Sequence, residues 1–148
     1  MSFSNEIDHT NANEEIDFGN MPIANAFYKN QIEHNTFNMT VGFFESCKLV
    51  QLKTQPEASE MFNEDYAFIT GTSQSMVNHF HNVADHLNKK FSWSGSSVVM
   101  EIGCNDGSFL EKVMEYTKNT IGVEPSSNVG DMAKKKGIEI YTEFFGSN

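Results

Sequence analysis

The sequence predicts an α+β chain in three parts: a small β-rich module, a helical connector and a βαβαβ unit. Three observations carry that reading. Between Phe37 and Leu52 two apolar runs flank a short polar stretch, the pattern of a hairpin. From Thr72 to Phe91 apolar residues recur at helical spacing. From Val98 onward three short apolar runs alternate with two amphipathic ones, the order that produces a parallel sheet with right-handed crossovers. The parts divide as 1–54, 55–95 and 96–148.

In the first part, "FGNMPIANAFY" carries turn punctuation at Gly19-Asn20 and Pro22, followed by an apolar tail. Phe37, Met39, Val41 and Phe43 alternate as in a half-buried strand, "ESCK" reads as the turn and "LVQL" as the returning strand. In the second part, Pro56 opens the short helical segment "PEASEMF". The longer "TSQSMVNHFHNVADHLNKKF" begins with cap residues and sets Met76, Phe80, Val83, Ala84 and Leu87 on one face. Its His79, His81 and His86 lack the i, i+4 pairing of a helical zinc motif, so they read as solvent-facing or substrate-edge residues. In the third part, strands are expected at Val98 to Ile102, at Thr120 to Glu124 and at "IEIY". Phe109, Leu110, Val113 and Met114 mark the first intervening helix; Ser126, Ser127 and Gly137 bound the second.

Composition removes several classes of function. The 148 residues suffice for one ordinary domain or two small ones. Ten Lys plus Arg against twenty Asp plus Glu give a formal charge of -10 and a pI near 4.8, a balance that repels nucleic-acid backbones. The N-terminus lacks the basic and apolar regions of a secretion signal, and no apolar run approaches membrane-spanning length. Cys47 and Cys104 stand far apart and imply no disulfide framework. A cytoplasmic location is expected, with no nucleic-acid or membrane partner.

The chemistry is expected at "VVMEIGCNDGSFL", a strand, a tight turn and a helix N-terminus, where free N–H groups and the helix dipole favour ligand binding. A dinucleotide fingerprint requires glycines at the first, third and sixth places. Here those places hold Gly103, Asn105 and Ser108, so a nicotinamide half-domain fits poorly. The pattern E-x-G-x-N-x-G instead sets Glu101 at the strand end, and Glu124 ends the next strand. This is the layout of the S-adenosylmethionine turn of class I methyltransferases. A carboxylate in the position of Glu124 can accept both ribose hydroxyls. Gly103 and Gly107 would allow close backbone approach, and Asp106 would cap the following helix. An ordinary strand–loop–helix corner uses glycines in the same way; the two acids together favour a cofactor.

The strings "FGNMPIANAF", "CKLVQL", "MFNEDYAF", "HF", "EIGCNDGSFL" and "GVEPSSNV" follow the order and spacing of the sugar C-methyltransferase family, which the chain resembles from about Ile16 to its last residue. The resemblance implies a zinc-binding-type N-terminal module, a helical connector and part of an S-adenosylmethionine-binding Rossmann-like domain. It further implies action on a dTDP-linked keto-deoxysugar. Cofactor-binding residues would be Glu101, Gly103, Asn105, Asp106, Gly107, Glu124, Pro125 and Ser126. Methylation beside a ketone needs a base to remove the α-proton; Tyr66, His79 and Tyr28 are the candidates for that neighbourhood.

Two departures from the family shape the expectations. Relatives hold zinc with two C-x-x-C pairs. The first would fall near Ser4 and Ile7, and in the second Phe44 replaces a cysteine, leaving Cys47 alone. No metal is therefore expected, and Phe44 would fill the space with apolar packing. The sheet also has fewer strands than in relatives, and the adenine loop and a downstream Tyr/Glu/His cluster have no counterpart. The chain is thus expected to be the N-terminal portion of such an enzyme, with S-adenosylmethionine binding weak or lost. The alternative is a non-catalytic remnant, or a subunit that binds a partner or complements a split methyltransferase. Strand 98–102 would present an open edge, inviting a homo-oligomer or a complementary fragment, and a charge at Val99 should weaken that association.

Overall fold

The computed structural model describes residues 4, 7, 9–24 and 35–146. The chain divides into two compact units, Met1–Met61 and Phe62–Asn148. Among the described residues there are two three-stranded sheets, one antiparallel and one parallel, and no helix long and apolar enough to cross a membrane.

The first unit holds the antiparallel sheet β1 (Glu14–Pro22), β2 (Thr36–Phe44) and β3 (Leu49–Leu52), in that spatial order, followed by the single turn of helix α1 (Ala58–Met61). The hairpin of β2 and β3 closes through residues 45–48, and Lys48 takes the positive φ of 58° that a glycine would otherwise supply. Two expectations are corrected here. Gly19-Asn20 and Pro22 lie inside strand β1: the register with β2 shifts between Asp17 and Asn20, so the apparent turn is a bulge. Asp17 stabilises it, accepting from the Gly19 N–H (2.8 Å) and the Asn38 amide (3.0 Å), and these bonds hold its carboxyl below the ordinary value. In β2 the buried residues are Thr40, Gly42 and Phe44, whereas Met39 is exposed and Val41 and Phe43 are half-buried. The covered face is thus the opposite of the one the alternation suggested. Tyr28 lies outside the described residues.

The second unit contains a 3-10 turn at Thr70–Thr72, helix α2 (Gln74–Phe91), and the parallel sheet β4 (Val98–Ile102), β5 (Asn119–Val123) and β6 (Glu139–Tyr141). Helices α3 (Ser108–Val113) and α4 (Ser127–Lys135) make the crossovers. The long helix read as a connector therefore belongs to the same unit as the sheet and packs on α3. Ala84 is its fully buried residue. Asp85 accepts the Tyr116 hydroxyl and lies 3.5 Å from the Lys112 ammonium, tying α2 to the end of α3. Cys104, Leu110, Ala133 and Ile138 form the core, with Val99 and Ile140 packed against it.

Among the described residues only one face of β4 is covered. Val98, Met100 and Ile102 are 64%, 51% and 56% exposed. Val99 points into the core, so the position at which a charge would act on the open face is Met100 and not Val99.

Phe44 is completely buried in the first unit. Phe44→Ala should therefore cost about 3–5 kcal/mol of that unit's stability, the usual loss for a buried phenylalanine. Urea unfolding followed by a probe in residues 36–52 checks this, and a chelator should leave the midpoint unchanged if no metal supports the fold.

Candidate functional site

The site is built at the C-terminal ends of β4 and β5. After Ile102 the chain reverses through Gly103, Asn105 and Gly107, whose φ angles are +71°, +51° and +75°. Three left-handed residues in five make the turn tight. Asparagine is one of the few side chains that tolerates such a φ. The N–H groups of Gly103 and Cys104 both donate to the Val123 carbonyl, which fixes the turn to the neighbouring strand.

The two glycines do different work. A Cβ on Gly103 would meet nothing within 4 Å, so this side of the turn is open to a ligand. A Cβ on Gly107 would come within 2.5 Å of Ile138 Cδ1 and 2.9 Å of Ala133 Cβ. Gly107 thus allows the turn to pack closely on α4 and Ile138.

Glu124 follows β5 and is 5% exposed. Its Oε2 accepts from the Asn105 N–H and its Oε1 from the Ser126 N–H, each at 2.9 Å. Each oxygen keeps a lone pair that these bonds do not use. Pro125 is half-buried between them, and Ser126 is completely buried with no partner for its hydroxyl. Ser126 is the N-cap of α4, yet its side chain makes no capping bond.

Glu101 points from the end of β4 with a buried Oε2 that has no hydrogen-bond partner. Burial, reinforced by the nearby Asp106 and Glu124 carboxyls, pushes its pKa up to about 8. The same surroundings push the Cys104 thiol up to about 12, which leaves it a poor nucleophile.

Asp106 is 5% exposed and heavily used. Oδ1 accepts from the Ser108 hydroxyl (2.7 Å) and N–H (3.3 Å); Oδ2 accepts from the Gly71 N–H (3.0 Å) and lies 3.6 Å from Lys136 Nζ. The expected helix cap is only part of its role, because the N-cap residue of α3 is Gly107. Asn105 spans to the same segment: Oδ1 accepts from the Thr70 N–H at 2.9 Å and Nδ2 donates to the Phe68 carbonyl at 3.0 Å. Asn128 Nδ2 donates to the Tyr66 carbonyl at 2.8 Å. Segment 66–72 is therefore part of the site, and the glycine pattern did not reveal it. The one available signal was Gly71, which stands beside Asp106 with no room for a side chain.

The structure brings Tyr66 to this corner through its backbone, with its ring 5.6 Å from that of Phe62. His79 is exposed on α2 with its ring against Phe80, and none of its described contacts reaches the turn. His81 Nε2 is buried without a partner. Among the described residues no group of three or more His, Cys, Asp or Glu side chains is arranged to hold a metal ion.

Chemically, the corner holds an acid with one buried oxygen lacking a partner, a second carboxylate with spare lone pairs and a turn with open space beside Gly103. Those groups fit a ligand that carries positive charge and hydroxyls. No family model matches the chain. The chain is similar to C-methyltransferase NovU of Streptomyces niveus, with 23% identity over 127 residues, which cover 84% of this chain and 30% of that protein. It thus spans less than a third of the curated relative it matches. The similarity supports a methyltransferase relationship.

The proton on Glu101 has a consequence for stability. The unfolded chain releases it near the ordinary glutamate value of about 4.3, whereas the folded chain retains it to about 8. Between those values the folded state binds more protons, so stability should fall as pH rises toward 8. In Glu101→Gln that component should be absent, giving a relative gain of several kcal/mol at alkaline pH. Thermal melts of both proteins across this range check the sign.

Proposed function

We propose that this chain carries the cofactor-binding part of an S-adenosylmethionine-dependent C-methyltransferase acting on a nucleotide-linked, dTDP-type keto-deoxysugar. In this reading the second unit is a partial Rossmann-like domain and the first a zinc-module-like fold without its metal. The observation that carries the proposal is that Glu101, with one buried oxygen lacking a partner, lies close enough to the Glu124 carboxyl to feel its charge, at the strand end that turns through Gly103. Glu124 would take the ribose hydroxyls with its unused lone pairs, and Pro125 and Ser126 would shape the floor beside it. Glu101 would meet a cationic part of the cofactor and lose its proton on binding. The methyl group is supplied by the cofactor when bound. Tyr66 is proposed at the substrate side, where removal of the α-proton is required; His79 remains a proposal on resemblance.

Isothermal titration calorimetry with S-adenosylmethionine tests this. Weak binding is expected, and Glu124→Ala should weaken it by about 1–3 kcal/mol, the loss of charge-assisted bonds. Equal affinity in both proteins would reject Glu124 as the ribose ligand.

A second reading, a non-catalytic subunit, is favoured by the uncovered strand β4. Among the described residues its backbone pairs on one side only, and its outward side chains are apolar. Self-pairing about a two-fold axis would satisfy that edge, so we propose a second copy of this chain as its occupant. Light scattering over a wide concentration range should show a dimer that Met100→Lys weakens. A cooperative, monodisperse monomer would rule this out, and a dimer unaffected by the substitution would move the interface elsewhere.

A further inference from the structure

Asn105 and Asp106 occupy positions at which side chains would be read as cofactor ligands, yet their bonding is directed elsewhere. Asp106 accepts from three donors and lies beside a fourth, the Lys136 ammonium, so a carboxylate with about four acceptor sites has little left for a ligand. Asn105 uses both ends of its amide on backbone: the oxygen on Thr70 N–H and the nitrogen on Phe68 C=O. An amide side chain accepts on its oxygen and donates from its nitrogen at once, and asparagine also suits the positive φ of the position. Asn128 adds a third anchor at Tyr66. All four bonds to segment 66–72 grip its backbone, which leaves the Tyr66 and Phe68 side chains unconstrained by them; Phe68 is 47% exposed.

We propose that Asn105 and Asp106 are positioning residues, latching segment 66–72 across the glycine turn as one wall of the ligand crevice, and that they do not themselves hold the ligand. The proposal rests on the cofactor reading only for the identity of that ligand. An unlatched segment would leave Glu101, Gly103 and Glu124 in place but remove the wall beside them. Affinity would then fall although no ligand-contacting group had changed.

Asp106→Ala, Asp106→Asn, Asn105→Ala and Gly71→Ala separate the possibilities. Asparagine at 106 keeps an acceptor for the Gly71 N–H while removing the charge. Alanine at 71 alters no residue of the turn, but its Cβ would land on Asp106 Oδ2. Hydrogen exchange read at the Thr70 and Gly71 amides is the first measurement, with the amides of α2 reporting that the unit remains folded. The three alanine variants should speed exchange at those amides about tenfold or more, the effect expected of losing a buried bond. Asp106→Asn should stay near the wild-type rate. In calorimetry with S-adenosylmethionine, the alanine variants should bind about tenfold more weakly, and Asp106→Asn should bind within about twofold of wild type. Wild-type exchange in Asp106→Ala and Asn105→Ala would overturn the latch. Slow exchange with lost affinity in Asp106→Asn would overturn the positioning role, because the charge itself would then be the contact. If wild type binds no S-adenosylmethionine, the cofactor reading fails, while the exchange rates still decide whether the latch exists.

Discussion

The second unit depends on one carboxylate. Glu124 joins the two corners that follow β4 and β5, taking the Asn105 N–H on one oxygen and the Ser126 N–H on the other. Both donors lie in turns that have left the sheet ladder, so neither has a strand partner. Without the carboxylate, two N–H groups at a buried corner would be unsatisfied, at a cost of about 1–3 kcal/mol each. The left-handed conformation of Asn105 is what aims its N–H back at β5. From that one orientation follow the tightness of the turn, the entry of α3 and the placement of the Asn105 amide against segment 66–72.

Two acids at the same end of one sheet thus have opposite environments. Glu124 is surrounded by donors; Glu101 has a buried oxygen with none. The contrast explains why Glu101 retains its proton to about 8. A neutral acid in that position spares the unit a third carboxylate charge beside Asp106 and Glu124. It also leaves a group that a neighbouring cation would ionise.

The sequence made the second unit legible because its signals are local. Strand, turn and helix alternate with clear apolar runs, and each of β4, α3, β5, α4 and β6 lies where that alternation set it. Strand β1 was hidden because it is exposed along nearly its whole length and carries no alternation to read. In β2 the pattern was real but the face was inverted: threonine and glycine at positions 40 and 42 hide a buried face that hydrophobicity alone assigns to Met39 and Val41. The site divides in the same way. Glu101 and Glu124 could be found from strand ends. The latch could not, because Asn105 and Asp106 meet partners 35 residues away, and no periodicity encodes a contact of that range.

The same distinction bears on how the unit holds together. Its core is one-sided: Val99 and Ile140 pack under α3 and α4, while Met100, Ile102 and Tyr141 remain exposed. A parallel sheet ordinarily has both faces covered. At about 25 cal/mol per Å², covering even a few hundred Å² of this face would contribute several kcal/mol, comparable with the whole stability of a small domain. The polar contacts at the β4–β5 corner therefore carry a larger share of the unit's order than they would in a sheet packed on both sides. A ligand that tightened that corner would stabilise the fold, because the Glu124 bonds there join the two strand ends.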